Sequence, residues 1–385
     1  MKGLLRNPPL SLYVHMPWCV RKCPYCDFNS HTVPEKLPAE AYIRALVTDL
    51  EQELPLVWGR PVQSIYFGGG TPSLFSAGQI ATFLSAARAR LELRPDVEIT
   101  LEANPGTIEH DSFPAYAEAG INRVSLGVQS FDDDLLQKIG RIHGRQEIEQ
   151  SLQSLKTAGI SNFNIDLMYA LPGQNPAQSR NDIELAIAAR PAHISFYQLT
   201  IEPNTAFAAQ PPRLPLEDMA WDMQQTGLDM LEANAYGQYE ISACAQSGKQ
   251  SRHNMNYWRF GDFLAIGAGA HGKITSAADG RVQRYAKQRH PRRYLQALDS
   301  GDWRAETRVL SDEELVFEFF LNQLRLKQGV FIDDFSARTG LPWEVVEPRV
   351  RKAADKGLLE VQDKRVSPTV LGWRFVNDIQ QMFLP

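Results

Sequence analysis

Apolar runs of strand length recur through the first half of the chain at intervals of roughly 30 residues, each followed by a turn and then an amphipathic stretch. The runs fall at residues 11–17, 64–67, 98–103, 123–128, 162–168 and 193–200, with helical periodicity between them, as at 39–54 and 77–91. Six strand–helix units in series predict a parallel sheet with right-handed crossovers, covered on its outer face by helices. The expected fold is therefore α/β, a parallel (β/α)6 barrel closed fully or in part, with its site at the carboxyl ends of the strands. Past about Thr200 the rhythm fails. Pro203, Pro211, Pro212 and Pro215 crowd a linker-like stretch before a helix at 217–233 and an alternating segment at 237–243. From Ser311 the pattern changes again, to helices at 312–326, 332–339 and 343–356 and short strands at 358–361 and 365–368. That α+β order resembles a winged helix. The expected division is 1–205 for the barrel, 206–310 for a linker and extension, and 311–385 for the winged-helix-like domain.

Composition narrows the class. A chain of 385 residues that is 43% hydrophobic can fill a sizeable core. A formal charge of −5 and a pI near 6.0 argue against general nucleic-acid binding. Glu313, Glu314, Glu318, Asp333 and Asp334 turn the winged-helix-like region toward a structural or partner-docking role. No apolar run approaches the ~20 residues that span a bilayer. Met1-Lys2-Gly3-Leu4-Leu5-Arg6 is too short for a secretory signal. Four cysteines without a disulfide pattern point to a reducing cytoplasm.

The cysteines carry the chemistry. Cys19, Cys23 and Cys26 lie within eight residues directly after the first strand, while Cys244 is far away. A CxxxCxxC triplet can hold three corners of a [4Fe-4S] cubane and leave the fourth iron open to a substrate. A structural zinc site needs four closed ligands, for which His15, His31 or a distant residue would have to complete the set, and spacing alone leaves it open. Arg21 and Lys22 favour thiolates for either metal. After the second strand, Gly68-Gly69-Gly70-Thr71-Pro72 offers successive N–H groups to a carboxylate or phosphate, without the Lys-Ser/Thr of a phosphate loop. Later strands end in Glu102-Ala103-Asn104-Pro105, Gly127-Val128-Gln129-Ser130 and Asp166-Leu167-Met168-Tyr169. Any one of these polar residues reads as a cap. Together, at one mouth beside the cysteine loop, they suit an amino-acid head and a ribose.

The triplet with Tyr25 before its last cysteine, the GGGTP turn and the six βα units resemble the radical S-adenosylmethionine superfamily. That resemblance implies a cluster whose open iron chelates the amino and carboxylate groups of S-adenosylmethionine. Within it, Tyr13-Val14-His15-Met16-Pro17, Cys23-Pro24-Tyr25-Cys26-Asp27-Phe28, Gly140-Arg141-Ile142-His143 and the strand ends above are similar, over nearly the whole chain, to the oxygen-independent coproporphyrinogen III oxidase-like subfamily. By resemblance, Cys19, Cys23 and Cys26 ligate the cluster, and Tyr13 and Tyr25 line the S-adenosylmethionine pocket. Gly69, Gly70 and Thr71 meet its amino-acid end. Glu102, Gln129, Arg141 and Asp166 bind its carboxylate, amine or ribose, with Thr200 at the sixth strand end. Arg141 can pair with a carboxylate through a bidentate fork.

Two departures move the expectation within the subfamily. The dehydrogenase carries a further cysteine two residues past the last ligand, where this chain has Phe28, and an extended N-terminal segment, where this chain reaches its first strand after about ten residues. Both features resemble instead the branch of heme chaperones, the HemW proteins. The segment His253-Asn254-Met255-Asn256-Tyr257-Trp258 resembles that branch's HNxxYW motif, which makes His253 a candidate axial ligand and gives aromatic rings for the macrocycle. His271, after a run of small residues, faces the cofactor or satisfies a turn. The function implied is binding of a [4Fe-4S] cluster, S-adenosylmethionine and heme, with transfer of heme to acceptor proteins. Active coproporphyrinogen III dehydrogenase and a non-catalytic iron–sulfur sensor or scaffold are the alternatives. No residue is assigned as catalytic, and catalysis by the chain is left open. A homodimer is also left open, and contact with a membrane is at most transient.

Overall fold

The computed structural model describes residues 5–106 and 111–385; residues 1–4 of the N-terminal stretch considered as a leader lie outside it. Six strands pair in parallel in chain order: β1 (Leu10–Met16), β2 (Val62–Gly69), β3 (Leu93–Ala103), β4 (Arg123–Gln129), β5 (Phe163–Tyr169) and β6 (His193–Gln198). Their side chains alternate between the two faces. Leu12, Val14, Ile65, Phe67, Leu101, Leu126 and Ile165 are buried in one core with Tyr42, Leu46 and Leu50 of the helix Ala39–Glu53 and Ile80, Phe83 and Leu84 of the helix Ala77–Arg88. The latter helix begins at a capping box between Ser76 and Gln79, which satisfies two orphan N–H groups. The alternate positions are polar or aromatic: Ser11, Tyr13 and His15 on β1, Ser64 and Tyr66 on β2, Glu98 and Glu102 on β3, Arg123 and Ser125 on β4, Asn164 and Asp166 on β5, His193 and Tyr197 on β6.

The expected α/β class and mostly parallel sheet are present, but the sheet is wider than the sequence suggests. The 237–243 segment is two strands, β7 (Gly237–Glu240) and β8 (Ala243–Ala245), because Glu240 folds back to accept from the backbone and hydroxyl of Ser242. β8 extends the sheet antiparallel to β6. On the other side, β9 (Asp262–Ile266) runs parallel to β1, and β10 (His271–Ser276), β11 (Arg281–Lys287) and β12 (Arg304–Val309) continue antiparallel. The twelve strands form one ladder in the order β12-β11-β10-β9-β1-β2-β3-β4-β5-β6-β8-β7. The turn after β9 passes close to β1. At Gly267, where φ is +100°, a Cβ would sit 2.3 Å from the His15 carbonyl oxygen.

Buried charge fastens this extension to the barrel. Lys287 on β11 donates to Asp49 and, at 2.6 Å, to Glu53, both on the helix Ala39–Glu53. Tyr294 Oη donates to Asp49 at 2.6 Å, and Arg304 Nε donates to Glu53 at 2.9 Å. A second knot lies on β9, where Asp262 accepts from Lys273 (2.9 Å), Arg60 (2.8 Å) and Thr275. The short helix Arg252–Trp258 packs on the inner side of β1, β2 and β9. The C-terminal region has its own three-stranded sheet of Val330–Phe331, Arg365–Pro368 and Leu359–Gln362. Its helices include Asp312–Gln323, Ile332–Thr339 and Glu347–Asp355, and its core of Phe319, Phe320, Phe335 and Phe383 takes in Phe260 and Val282 from the extension. The expected helix at 343–356 is broken into a 3-10 turn and Glu347–Asp355, with Pro348 in the first turn.

Replacing Lys287 by methionine leaves Asp49 and Glu53 buried without that cation, so the variant loses about 3–5 kcal/mol of stability. Urea unfolding measures this, and an unchanged midpoint contradicts it.

Candidate cofactor site

The cysteine loop is held by backbone. Trp18–Cys19 and His31–Thr32 pair as a short parallel ladder that closes the loop, and Cys26 N–H donates to the Cys23 carbonyl at 3.2 Å. The glycine turn after β2 is pinned against it, with Gly70 N–H on the Met16 carbonyl and Thr71 N–H on the Trp18 carbonyl, both at 2.7 Å. A Cβ at Gly70 would lie 2.5 Å from that Trp18 oxygen, so the two backbones meet only because the residue is glycine. Cys19, Cys23 and Cys26 thereby line one cleft of about 780 Å³ at the carboxyl ends of the strands. Gly69, Gly70, Thr71, Tyr25, Glu102, Gln129, Arg141 and Asp166 line the same cleft.

These side chains are already fixed by one another. Tyr66 Oη donates to Glu102 Oε1 at 2.8 Å and Gly69 N–H to Oε2 at 3.0 Å. Burial nevertheless lifts the Glu102 carboxyl to a pKa of about 7, helped by the nearby Asp166. Asp166 is also raised by burial, although Asn164 (2.7 Å) and Ser125 (3.3 Å) donate to it. Arg141 donates through Nη2 to Asn104 and, at 2.7 Å, to the Gly127 carbonyl, while Nη1 lies 3.7 Å from Cys23 Sγ. Burial works against its charge, but Tyr25 and Cys23 outweigh it and raise its pKa. Asn104 passes the contact on to Thr71 Oγ1 at 3.0 Å. Tyr197 donates to Gln129 at 2.7 Å. The Cys19 and Cys26 thiols are pushed up by burial, which the hydrogen bond with Thr71 partly offsets at Cys19. Among the described residues, no three His, Cys, Asp or Glu side chains are close enough to share one metal ion. A cubane instead asks for one thiolate on each of three irons. Cys244, the fourth thiol, is buried on β8 with its pKa pushed up to about 12.

Three expected residues are not in this cleft. Thr200 is exposed beyond the end of β6, with its hydroxyl on Glu202 at 2.8 Å. Tyr13 lines a neighbouring cleft of about 1620 Å³ between the cysteine loop and β9–β12. His253 is only 2% exposed, with Nδ1 3.0 Å from Ser64 Oγ and its ring 4.9 Å from that of Tyr66 and 5.1 Å from that of Tyr257. Burial lowers its pKa to about 3, so it is neutral. From the same segment, Tyr257 does reach the second cleft. Sequence reasoning left out Asn104, Ser125 and Tyr197, which line the first cleft. Asn104 stood inside the quoted strand end, and Ser125 and Tyr197 were legible from the two-residue alternation of polar positions along β4 and β6.

Comparison with known proteins accords with this geometry. The Radical SAM superfamily profile matches residues 13–186, and that of the HemN C-terminal domain matches 310–375. The chain is 45% identical over 381 residues to the heme chaperone HemW of Escherichia coli (strain K12), covering 99% of this chain and 100% of that one. It is 33% identical to the heme chaperone HemW of Bacillus subtilis (strain 168), over 97% and 99% of the two chains. It is also 33% identical to the mitochondrial radical S-adenosyl methionine domain-containing protein 1 of Bos taurus, over 92% and 80%. Among solved structures, coproporphyrinogen III oxidase (HemN) from Escherichia coli superposes with a TM-score of 0.82 over 98% of this chain and 90% of that one, at 24% identity, a likeness of fold. No helix among the described residues is long and apolar enough to cross a membrane. The chain belongs to the radical SAM superfamily and, within it, to the family of the HemW proteins.

Proposed function

We propose that this chain is a heme chaperone that holds a [4Fe-4S] cluster and S-adenosylmethionine and passes heme to acceptor proteins. The observation that carries the reading is the end-to-end likeness to proteins named heme chaperone HemW, at 45% identity with the Escherichia coli relative. Superfamily membership implies the cluster and S-adenosylmethionine, and the donor set fits them. Among the described residues, three thiols and no fourth line the first cleft, which suits three corners of a cubane and an open fourth iron. When bound, the cluster supplies an electron and a vacant coordination position.

In this reading Cys19, Cys23 and Cys26 are the cluster ligands. Gly69, Gly70 and Thr71 meet the amino-acid end of S-adenosylmethionine. Arg141 turns its fork to the carboxylate, Glu102 faces the amine, and Gln129 and Asp166 face the ribose, with Tyr13 and Tyr25 as walls. Thr200 and His253 stand outside this set. Residues 1–205 hold the cofactors, 206–310 build the far wall of the second cleft, and 311–385 back that wall. A coproporphyrinogen dehydrogenase reading draws on the HemN-like fold. Phe28, at the position where that enzyme has a further cysteine, stands against it.

Anaerobically reconstituted protein separates the two readings. Heme titration gives a bound spectrum, and incubation with coproporphyrinogen and a reductant gives no vinyl product; vinyl product overturns the chaperone reading. Cys19→Ala fails to assemble a four-iron cluster, as iron and sulfide analysis and electron paramagnetic resonance of the reduced protein report. Glu102 sets a pH dependence. Its carboxyl faces Tyr66 and Gly69 N–H on β2, Asp166 on β5 and Arg123 on β4, and is neutral below about pH 7. The iron-bound amine is neutral and keeps N–H donors, which the carboxylate accepts better than the neutral carboxyl, so S-adenosylmethionine affinity rises as pH rises through about 7 and levels off above it. Glu102→Gln flattens this profile and weakens binding on its high-pH side by about 2 kcal/mol, measured by calorimetry.

A further inference from the structure

The second cleft has the features of a site for a large, flat, aromatic ligand. At about 1620 Å³ of open space it is about twice as roomy as the cluster cleft, at about 780 Å³. Its floor is a run of rings: Tyr257 lies 4.1 Å from Phe263, whose other neighbour is the Arg284 guanidinium at 5.2 Å, and Tyr13 continues the surface. Phe28, 60% exposed on the cysteine loop, stands in the wall shared with the cluster cleft.

Three histidines lie in or near this cleft, and they differ in what is left to give. His15 spends both ring nitrogens, on Tyr13 Oη and the Asn29 carbonyl, each at 2.9 Å. His253 uses Nδ1 on Ser64; its Nε2 has no partner but is buried among the rings of Tyr66, Tyr257 and Tyr13. His271 is exposed at the start of β10, opposite Ala286 in register, and both line the cleft. Among the described residues its imidazole makes no hydrogen bond or ion pair. Its lone pair is therefore available without breaking an internal contact. The cations differ in the same way. Arg284 is committed to Glu318, with Nε at 2.8 Å. Arg289 is exposed, and among the described residues its side chain holds only Asn29 Oδ1, through Nε at 3.2 Å. The carboxylates of Asp27 and Glu306 also line the cleft and disfavour an anion near them.

We propose that this cleft is the heme site, with His271 as the axial ligand of the iron, Arg289 as the partner of a propionate, and Tyr257 and Phe263 under the macrocycle. The proposal rests on the heme-chaperone reading and adds to it a place and a ligand. His253 is in this account a floor residue that fixes the ring layer through Ser64 and Tyr66. The site shares Phe28, Gly69 and Glu102 with the cluster cleft, so a bound macrocycle has its edge beside the S-adenosylmethionine pocket.

The test is heme titration of the full chain, anaerobically reconstituted, followed by absorption, resonance Raman and electron paramagnetic resonance spectra. His271→Ala loses the imidazole-ligated spectrum, binds heme at least about tenfold more weakly and regains the spectrum on adding free imidazole. His271→Met shifts the spectrum to that of a thioether ligand. Arg289→Glu weakens binding by about tenfold with the iron spectrum unchanged. S-adenosylmethionine binding, retained in each variant, reports that the fold is intact. An unchanged ligand field in His271→Ala overturns the assignment, as does loss of the imidazole spectrum in His253→Ala when S-adenosylmethionine still binds. Absence of heme binding by the unaltered chain overturns the chaperone reading itself, and this site with it.

Discussion

A lysine with no exposed surface, set between two carboxylates of a neighbouring helix, is the contact on which the second half of this molecule depends. Lys287, Asp49 and Glu53 are each at most 3% exposed at the side chain. Taking such charges out of water costs several kcal/mol per ion, and their attraction repays this only in good geometry with the remaining donors and acceptors satisfied. Tyr294 and Arg304 supply that satisfaction. The knot is therefore better understood as a register device than as a store of stability. β11 docks on the helix Ala39–Glu53 in the one position that pairs all the charges, and this places β9 beside β1 and sets the distance between the extension and the cysteine loop. The second cleft is the space left by that docking.

The first cleft follows from another constraint, the shared inner surface of six parallel strands. A parallel sheet covered on both faces is ordinarily apolar throughout. Here only the outer face is. The inner face carries carboxylates, an arginine, amides and hydroxyls, and each polar group there depends on its neighbours. Glu102 is held by Tyr66 and Gly69, Asp166 by Asn164 and Ser125, and Arg141 by Asn104 and the Gly127 carbonyl. Such a network resists collapse because no member can move without exposing another to an unsatisfied state. The mouth is preorganised for a ligand with several charges and hydroxyls, and ordering entropy is spent in folding, not in binding.

Much of this is legible in the chain itself. The cysteine spacing, the glycine turn and the polar strand ends sit at regular intervals along β1–β5, and helix periodicity separated them. Sequence reasoning failed where local pattern and tertiary role part company. β9–β12 are short and mix charged with apolar residues, because buried Lys287 and half-buried Arg284 find their partners outside these strands, at Asp49 and Glu318. No window over those strands alone reveals that their charges are neutralised. His253 shows the same limit. A histidine among aromatics reads alike whether its ring faces a ligand or packs a floor, and what separates the two here is Ser64, on a strand 189 residues earlier. Thr200 was placed by extending β6 two residues beyond its end at Gln198, after which the chain turns outward.

Phe28 belongs to the loop that bears the three thiols and to the wall of the second cleft at once. The loop's backbone is tied at its ends by the short ladder of Trp18–Cys19 with His31–Thr32, and between them at the Pro24 carbonyl, which accepts from Phe207 N–H at 2.9 Å, and at the Asn29 carbonyl, 2.9 Å from His15 Nε2. A group held by the thiols would add a further tie at Cys26, two residues before Phe28. The two clefts thus draw on a common reserve of chain freedom. Whichever is filled first bears the loss of that freedom, and its neighbour then fills against a wall already still. Linkage would make any such exchange symmetric, so that a ligand in the second cleft would steady the cysteine loop as much as a group on the thiols would steady that ligand.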